Sequence, residues 1–249
     1  LHLSHHGTDS SLWEGKPGHP WDAIRAAHIS RKVTIARFLD IPFVLDCIES
    51  GEGIDQEFLN MIDTDRIGMS GHSFGAITTQ VIAGQKLGRG RRRYSLRDDR
   101  IKAAIAYSMS PTYNHDDDHN EIYGSINVPM LFMTGTEDSS PVSGKGYEYR
   151  LPIYECSQGP DQHLLVLEEG DHMVFAGSRG QLGETDLREV HEEIIKTLSH
   201  AFWDAYLKED VKAYEWLAEN GAVDYLDERA TLQNKNLKIL TDADQRKTM

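Results

Sequence analysis

The sequence predicts an α/β fold, in which a mostly parallel β-sheet is flanked by helices. Segments with strand character alternate along the chain with segments of helical periodicity, and this alternation is typical of α/β proteins. The run IKAAIAYSMSP is almost continuously apolar, as expected of a strand that is buried on both faces. The segment DLREVHEEIIKTLSHAFWDAYLKE repeats apolar residues at three- and four-residue steps and predicts a long amphipathic helix.

The first fifty residues predict a strand, a loop and a helix. LHLSHHG alternates and then stops at Gly7, which indicates a short strand, and the turn-rich residues 8–20 indicate a loop. Apolar residues at helical spacing predict a helix from Trp21 to about Asp40. Because proline lacks a backbone N–H, we expect Pro42 to break or restart this helix, which then continues to Gly51.

The remaining sequence supplies the alternating pattern. We predict strands at DRIGMS, IKAAIAYSMSP, VPMLFMTG and HLLVLEE. FGAITTQVIAGQKLG predicts a helix that ends at Gly88, residues 111–127 predict a polar loop, and VKAYEWLAENG predicts a short helix. These elements place one domain over residues 1–219 and a polar C-terminal tail over residues 220–249.

Composition narrows the classes of function. The chain has 249 residues and a net charge of −14, with 39% apolar and 27% charged residues. A strongly acidic protein disfavours a nucleic-acid partner or an anionic membrane surface, and the apolar runs are too short for a membrane span. The basic run Arg89–Arg93 predicts a solvated loop, with a local anion patch as the alternative. The sequence leaves two alternatives for the compartment, a bacterial cytoplasmic protein or an exported one.

Neither cysteines nor histidines show the spacing of a metal site. Cys47 and Cys156 form no metal-binding pattern and no disulfide framework. His115, Asp116, Asp117, Asp118 and His119 follow each other too closely for a recognised site, so we predict a solvated loop. We expect no metal and no organic cofactor.

The segment RIGMSGHSFGAITTQ carries the strongest chemical signal. Residues 71–75, GHSFG, fit the pattern G-x-S-x-G, with a predicted strand before them and a predicted helix after them. In this arrangement the serine occupies a strained turn between strand and helix, and small residues two positions away prevent a clash. The sequence therefore predicts that Ser73 is a nucleophile rather than a serine in an ordinary glycine-rich turn.

A serine hydroxyl needs a base, and the base needs an orienting acid. In chain order, the acid and then the histidine follow the serine, each after a later strand. Asp138 follows VPMLFMTG and is the favoured acid, with Glu137 as the alternative. His172 follows HLLVLEE and is the favoured base, whereas His163 begins that strand and is expected to be structural.

These motifs resemble the α/β-hydrolases. More narrowly, the chain resembles bacterial proteins called predicted dienelactone hydrolases, relatives of platelet-activating-factor acetylhydrolases and polyester-degrading esterases. The resembling segments cover most of residues 1–207: LSHHGTDSSLW, RIGMSGHSFGAITTQ, IKAAIAYSMSP, MLFMTGTEDSSP, LLVLEEGDHMVF and AFWDAYL. The resemblance implies a triad of Ser73, Asp138 and His172 and cleavage of carboxylic esters through an acyl-enzyme. Dienelactone hydrolases use a cysteine nucleophile, so Ser73 favours a general esterase for small or polymeric esters.

The oxyanion hole is the part of the site that the sequence defines least. The backbone N–H of Phe74 is the first expected donor, and the second normally comes from a loop after the third strand. We interpret SHHGTDSS as the end of the fourth strand, with the oxyanion loop as the alternative. On the favoured interpretation the fold lacks its first strands and that loop, and a hydrolase so shortened is expected to be impaired.

Substrate contacts and rival functions follow from the same interpretation. Trp13, Met109 and Tyr113 lie on predicted loops and are candidates to line a substrate pocket. The rival functions are a serine peptidase of the prolyl-oligopeptidase type and a catalytically inactive α/β-hydrolase fold that binds a ligand or partner.

Overall fold

The structure is a computed structural model that describes residues 1–5, 11, 13–18, 22–23, 26, 30–112, 118–177 and 187–239. The chain divides into two units, Leu1–Thr64 and Asp65–Met249. The predicted organisation, one domain over residues 1–219 and a tail over residues 220–249, stays a prediction.

The first unit is built on helix α1 (Arg31–Ser50), which is followed by the single turn α2 (Gln56–Leu59). Ser30 caps α1 by accepting a hydrogen bond from the N–H of Val33 at its side chain, and Gly51 ends the helix in the left-handed conformation with φ 67°. Leu1–His5 have no strand conformation, in contrast to the predicted strand, whose last residues lie outside the described part of the chain.

Pro42 does not break α1, which corrects the prediction. The helix runs through the proline for 20 residues without interruption. A proline inside a helix loses one backbone hydrogen bond at a cost of about 3 kcal/mol. The apolar residues Phe38, Ile41 and Leu45 are buried on both sides of Pro42, and their burial offsets this cost.

The second unit contains a five-stranded sheet in the order β1-β2-β3-β4-β5. The strands are β1 (Ile67–His72), β2 (Ile101–Tyr107), β3 (Met130–Glu137), β4 (Gln162–Asp171) and β5 (Ala230–Lys235). The first four strands are parallel to their neighbours, and β5 pairs antiparallel with β4. The sheet is therefore mostly parallel and flanked by helices, as the sequence predicts.

Within the described residues of this unit, six α-helices accompany the sheet. They are α3 (Phe74–Ile82), α4 (His119–Tyr123), α5 (Leu151–Cys156), α6 (Arg188–Leu207), α7 (Val211–Ala218) and α8 (Asn220–Leu226). Helix α3 ends at Ile82, earlier than the predicted Gly88, and the predicted polar loop 111–127 contains α4. Among the described helices, none has the length and apolar character needed to cross a lipid bilayer.

Successive residues of the central strands pack on opposite faces of the sheet. One hydrophobic cluster joins alternate strand residues to α6, α7 and α8, including Ile105, Leu131, Leu165, Leu198, Phe202 and Leu217. The other joins the intervening strand residues to α3, α4 and α5, including Ala76, Ala104, Ile122, Phe132, Ile153 and Leu164. Burial on both faces explains the nearly continuous apolar runs of β2, of residues 130–133 in β3 and of residues 164–167 in β4.

Part of the predicted polar tail is ordered structure, since residues 220–235 include a helix and a strand of the sheet, while residues 240–249 lie outside the described residues. Residues 220–226 form α8, and β5 gives the sheet its one antiparallel pair among the described strands. His163 at the start of β4 is fully buried, and its ring nitrogens lie 2.7 Å from Asn234 Oδ1 and 2.7 Å from Tyr206 Oη. This network joins β4 to β5 and α6, which is the structural position expected for His163.

The packing of α6 predicts a large effect for one core substitution. Phe202 is fully buried in the cluster formed by α6, α7 and α8, so Phe202→Ala should lower the free energy of unfolding by about 3–5 kcal/mol. Phe43→Ala is the matched control, because Phe43 is 65% exposed and its loss should change stability little. Urea unfolding monitored by circular dichroism measures both, and equal effects of the two substitutions would contradict this packing.

Candidate active site

Ser73 lies on a strained turn between β1 and α3. Its backbone has φ 56° and ψ −110°, outside the common regions for a residue with a side chain. The Ser73 N–H donates to the carbonyl oxygen of Tyr107, the last residue of β2, at 3.0 Å. Helix α3 begins at the next residue, Phe74. The predicted turn from strand to helix is present, and the serine side chain is half-buried.

The glycines that flank Ser73 are required by close backbone contact. A Cβ atom on Gly71 would lie 2.3 Å from the carbonyl oxygen of Gly75, a distance that real Cβ atoms do not reach. The first turn of α3 therefore packs directly against the end of β1. This contact gives a physical reason for the small residues of the GHSFG pattern.

Asp138 lies just beyond β3, on a turn closed by a backbone hydrogen bond. The Asp138 N–H donates to the carbonyl oxygen of Gly135 at 2.9 Å, which turns the carboxylate back over the end of the strand. The side chain is fully buried, whereas that of Glu137 is exposed. Of the two candidate acids, the structure brings Asp138 to the serine and histidine.

His172 follows β4, at the same edge of the sheet. Asp171 Oδ1 accepts hydrogen bonds from the N–H groups of Met173 and Val174, both at 2.9 Å, and this shapes the turn that carries His172. The ends of β3 and β4 lie in close backbone contact at Gly135 and Gly170. A Cβ atom on Gly135 would lie 2.2 Å from the carbonyl oxygen of Gly170. The acid and base loops therefore start from adjacent backbones.

Ser73, His172 and Asp138 form one hydrogen-bonded series. Ser73 Oγ lies 3.0 Å from His172 Nε2, and His172 Nδ1 lies 2.8 Å from Asp138 Oδ1. These are hydrogen-bond distances at both nitrogens of the imidazole. Asp138 and His172 are buried while Ser73 is half-buried, so the serine is the member of the series nearest to solvent.

Three further residues, which the sequence analysis did not select, surround the Asp138 carboxylate. Ser108 Oγ lies 2.7 Å from Oδ2 and 2.9 Å from Oδ1 of Asp138, and Thr134 Oγ1 donates to Oδ2 at 2.9 Å. Arg150 Nη2 donates to Oδ1 at 2.8 Å. Oδ1 therefore lies beside Arg150 and His172, and Oδ2 lies beside Ser108 and Thr134. Burial raises the pKa of Asp138, but the hydrogen bond from His172 and the charge of Arg150 outweigh it, and the pKa is lowered.

This set of donors determines which nitrogen of His172 carries the proton. Ser108 uses its one hydroxyl proton for the Asp138 carboxylate, so its oxygen faces Nδ1 of His172, 2.8 Å away, as an acceptor. Nδ1 therefore carries the proton, which it donates to Asp138. Nε2 keeps a free electron pair for the Ser73 hydroxyl, which is the tautomer a general base needs.

Ser108 and Arg150 differ in the signals they leave in the sequence. Ser108 is the first residue after β2, where its backbone has φ 49°. In the sequence, the one sign of its role is a polar residue directly after an apolar strand. Arg150 lies between a 3₁₀ turn and α5, in the segment GYEYRLP, and is 1% exposed. No local pattern distinguishes it from a surface arginine.

His72, which precedes the serine, holds the loop that carries His172. Its Nε2 lies 2.8 Å from the carbonyl oxygen of His172, and because a carbonyl only accepts, Nε2 carries the proton. The two imidazole centroids are 4.8 Å apart. Burial lowers the pKa of His72 to about 4, helped by the neighbouring His172, so its ring is neutral at neutral pH.

The three candidate pocket residues have different positions. Met109 is fully buried in the hydrophobic cluster of α3, α4 and α5. Trp13 is half-buried in the first unit, and Tyr113 lies outside the described residues. Their suggested contact with a substrate stays a prediction.

The possible metal ligands of the sequence do not assemble in the described residues. His115, Asp116 and Asp117 lie outside them, and Asp118 caps α4 by accepting from the N–H groups of Asn120 and Glu121. Across the described ranges, no group of three or more His, Cys, Asp or Glu side chains could hold a metal ion. Both cysteines, Cys47 and Cys156, are free thiols.

The described fold and side chains define an α/β protein with a serine, histidine and aspartate at one edge of a mostly parallel sheet. A scan against models of known protein families finds no match, and a search of curated proteins finds no relative. The function must therefore be argued from the site itself.

The depressed pKa of His72 predicts a pH dependence of stability. Between about pH 6.5 and 4, the unfolded chain binds a proton at His72 that the folded protein does not, so acidification lowers the free energy of unfolding. His72→Gln keeps an N–H donor for the His172 carbonyl but cannot titrate. The variant should lose less stability over this range, by a difference on the order of 3 kcal/mol.

Urea unfolding at several pH values measures this difference. His200→Gln is the control, because His200 lies on the exposed side of α6 and its replacement should leave the pH dependence nearly unchanged. Parallel pH curves for the wild type and His72→Gln would show that His72 is not the neutral, partly buried group described.

Proposed function

We propose that this protein is a serine hydrolase of the α/β-hydrolase fold that cleaves carboxylic esters through an acyl-enzyme. The observation that carries the proposal is the hydrogen-bonded series from Ser73 Oγ through His172 to Asp138, at 3.0 Å and 2.8 Å. A strained serine between a strand and a helix, with its base and acid after later parallel strands, is the arrangement of a nucleophile elbow. The parallel sheet and the order Ser, Asp, His along the chain support the same proposal.

Each residue has a defined part in the proposed reaction. Ser73 Oγ attacks the ester carbonyl carbon while its proton passes to His172 Nε2, and the carbonyl oxygen takes up the negative charge. Asp138 stabilises the imidazolium that forms. When the tetrahedral intermediate collapses, the bond to the alcohol oxygen breaks, and the leaving alcohol takes the proton from His172. Water, deprotonated by the same nitrogen, then attacks the acyl-enzyme and releases the carboxylic acid with Ser73 restored.

The developing oxyanion needs donors, and α3 offers the first of them. The backbone N–H of Phe74 directly follows Ser73 at the start of the helix. A donor at this position typically contributes a factor of about 10²–10³ to the rate. The positive end of the α3 dipole favours negative charge at the same place.

A covalent probe tests the nucleophile independently of the ester. A fluorophosphonate should label the wild-type protein at Ser73, because the neutral Nε2 of His172 activates the hydroxyl. Labelling should be lost in Ser73→Ala and retained in Ser70→Ala, which alters a serine of β1, the strand that precedes Ser73. Folded wild-type protein that resists the probe would favour a ligand-binding protein without hydrolase activity.

A pair of acidic residues tests the assignment of Asp138. Asp138→Asn should lower kcat for p-nitrophenyl acetate by roughly 10³–10⁴-fold, because an amide stabilises the wrong tautomer of His172. Glu137→Gln is the matched control, since the Glu137 side chain is exposed, and its activity should stay near that of the wild type. If the two variants lose activity equally, Asp138 is not the acid of the site.

A further inference from the structure

The buried guanidinium of Arg150 connects the loops that carry the acid and the Ser108 hydroxyl. Nε donates to the carbonyl oxygen of Asp138 at 3.1 Å, and Nη2 donates to its carboxylate at 2.8 Å. Nη1 donates to the carbonyl oxygen of Met109 at 2.7 Å and to Ser110 Oγ at 3.2 Å. Nη2 also lies 3.3 Å from His172 Nδ1. One side chain thus contacts both the acid and the base of the proposed triad.

The charge of Arg150 acts differently on the two protonation states of the pair. When His172 is neutral and Asp138 is ionised, the pair carries one negative charge, and Arg150 makes the group of three neutral. When His172 is protonated, the pair is neutral and the group of three carries a net positive charge. Because an uncompensated charge is costly in a buried site, Arg150 favours the state in which Nε2 of His172 is free.

The other groups around the pair do not supply this charge. Ser108 and Thr134 contribute neutral hydroxyls, and the pKa of His72 is lowered to about 4. The acidic neighbours in the chain do not act on the pair directly. Glu137, next to Asp138, is exposed, and Asp171, next to His172, accepts hydrogen bonds from backbone N–H groups of its own turn. Within the described residues, Arg150 is the cation in hydrogen-bond contact with Asp138.

We propose that Arg150 is a positioning residue whose buried charge keeps the Asp138–His172 pair in the form that can accept the Ser73 proton, and so extends activity to lower pH. The inference rests on the proposed hydrolase function for its effect on rate. Its effect on the protonation of His172 can be measured whether or not the protein cleaves esters.

Neutral and charged replacements of Arg150 separate charge from packing. In Arg150→Gln, which keeps donors but no charge, the acid limb of the kcat/KM profile should move to higher pH by about 1–3 units. Each unit of displacement corresponds to about a tenfold loss of kcat/KM at a pH on that limb. Arg150→Lys keeps the charge and should recover at least half of the displacement. Arg150→Met is a second neutral variant in case the glutamine variant does not fold.

Two controls isolate the charge at this position. Arg93→Gln removes another arginine that pairs with a carboxylate, that of Glu121, and should leave the profile in place. Ser108→Ala removes a neutral donor to Asp138, so it should lower kcat while displacing the acid limb less than Arg150→Gln does.

Nitrogen-15 NMR of the imidazoles provides the readout that does not depend on activity. The resonance of His172, assigned by its loss in His172→Gln, should titrate at a higher pH in Arg150→Gln than in the wild type, and Arg150→Lys should lie closer to the wild type. Titration of His172 at the same pH in all three proteins would overturn the proposal. Equal losses of kcat in Arg150→Gln and Arg150→Lys, without displacement of the acid limb, would overturn it as well. If the wild type neither reacts with a fluorophosphonate nor cleaves esters, the hydrolase function fails while the NMR titration still decides the role of Arg150.

Discussion

The buried carboxylate of Asp138 is the constraint on which the rest of the site depends. A charge removed from water is tolerated only when opposite charge and hydrogen bonds replace the lost solvent. Asp138 is fully buried and receives donors from His172, Arg150, Ser108 and Thr134. These donors come from segments at the ends of β2, β3 and β4 and from the start of α5. Satisfying one charge therefore fixes the relative positions of four parts of the fold.

The backbone brings together residues that the sheet alone would keep apart. Ser73 follows β1 and His172 follows β4, and three inter-strand spacings amount to about 14 Å. The two loops meet through Ser73 Oγ and His172 Nε2, 3.0 Å apart, and through His72 Nε2 and the carbonyl oxygen of His172, 2.8 Å apart. Gly135 packs on Gly170 at the ends of β3 and β4, and Gly71 packs on Gly75 beside the serine. Since a Cβ at Gly71 or Gly135 would collide with the facing backbone, these contacts are part of the site.

Local patterns in the sequence predicted most strands and helices and the three residues Ser73, Asp138 and His172. They did not predict the residues that surround these three. Ser73 has a motif, and Asp138 and His172 were selected because each follows an apolar strand in the expected chain order, Asp138 also by its spacing from Gly135. Arg150 lies 12 residues from Asp138 but has no motif around it, and its burial is a property of the assembled loops. The uninterrupted α1 across Pro42 and the strand β5 were missed for the same reason, since tertiary packing outweighed local propensity.

In the proposed mechanism, the same Arg150 charge that keeps His172 unprotonated also limits its strength as a base. Arg150 lies 3.3 Å from Nδ1, so it opposes the imidazolium that forms when Ser73 gives up its proton. Asp138 lies closer, at 2.8 Å, and its negative charge offsets this repulsion. In the proposed reaction, positive charge moves onto His172 as an equal negative charge forms on the ester oxygen near α3. The site then separates charge without changing its total, and fixed dipoles and ions stabilise such a transition state with little reorganisation.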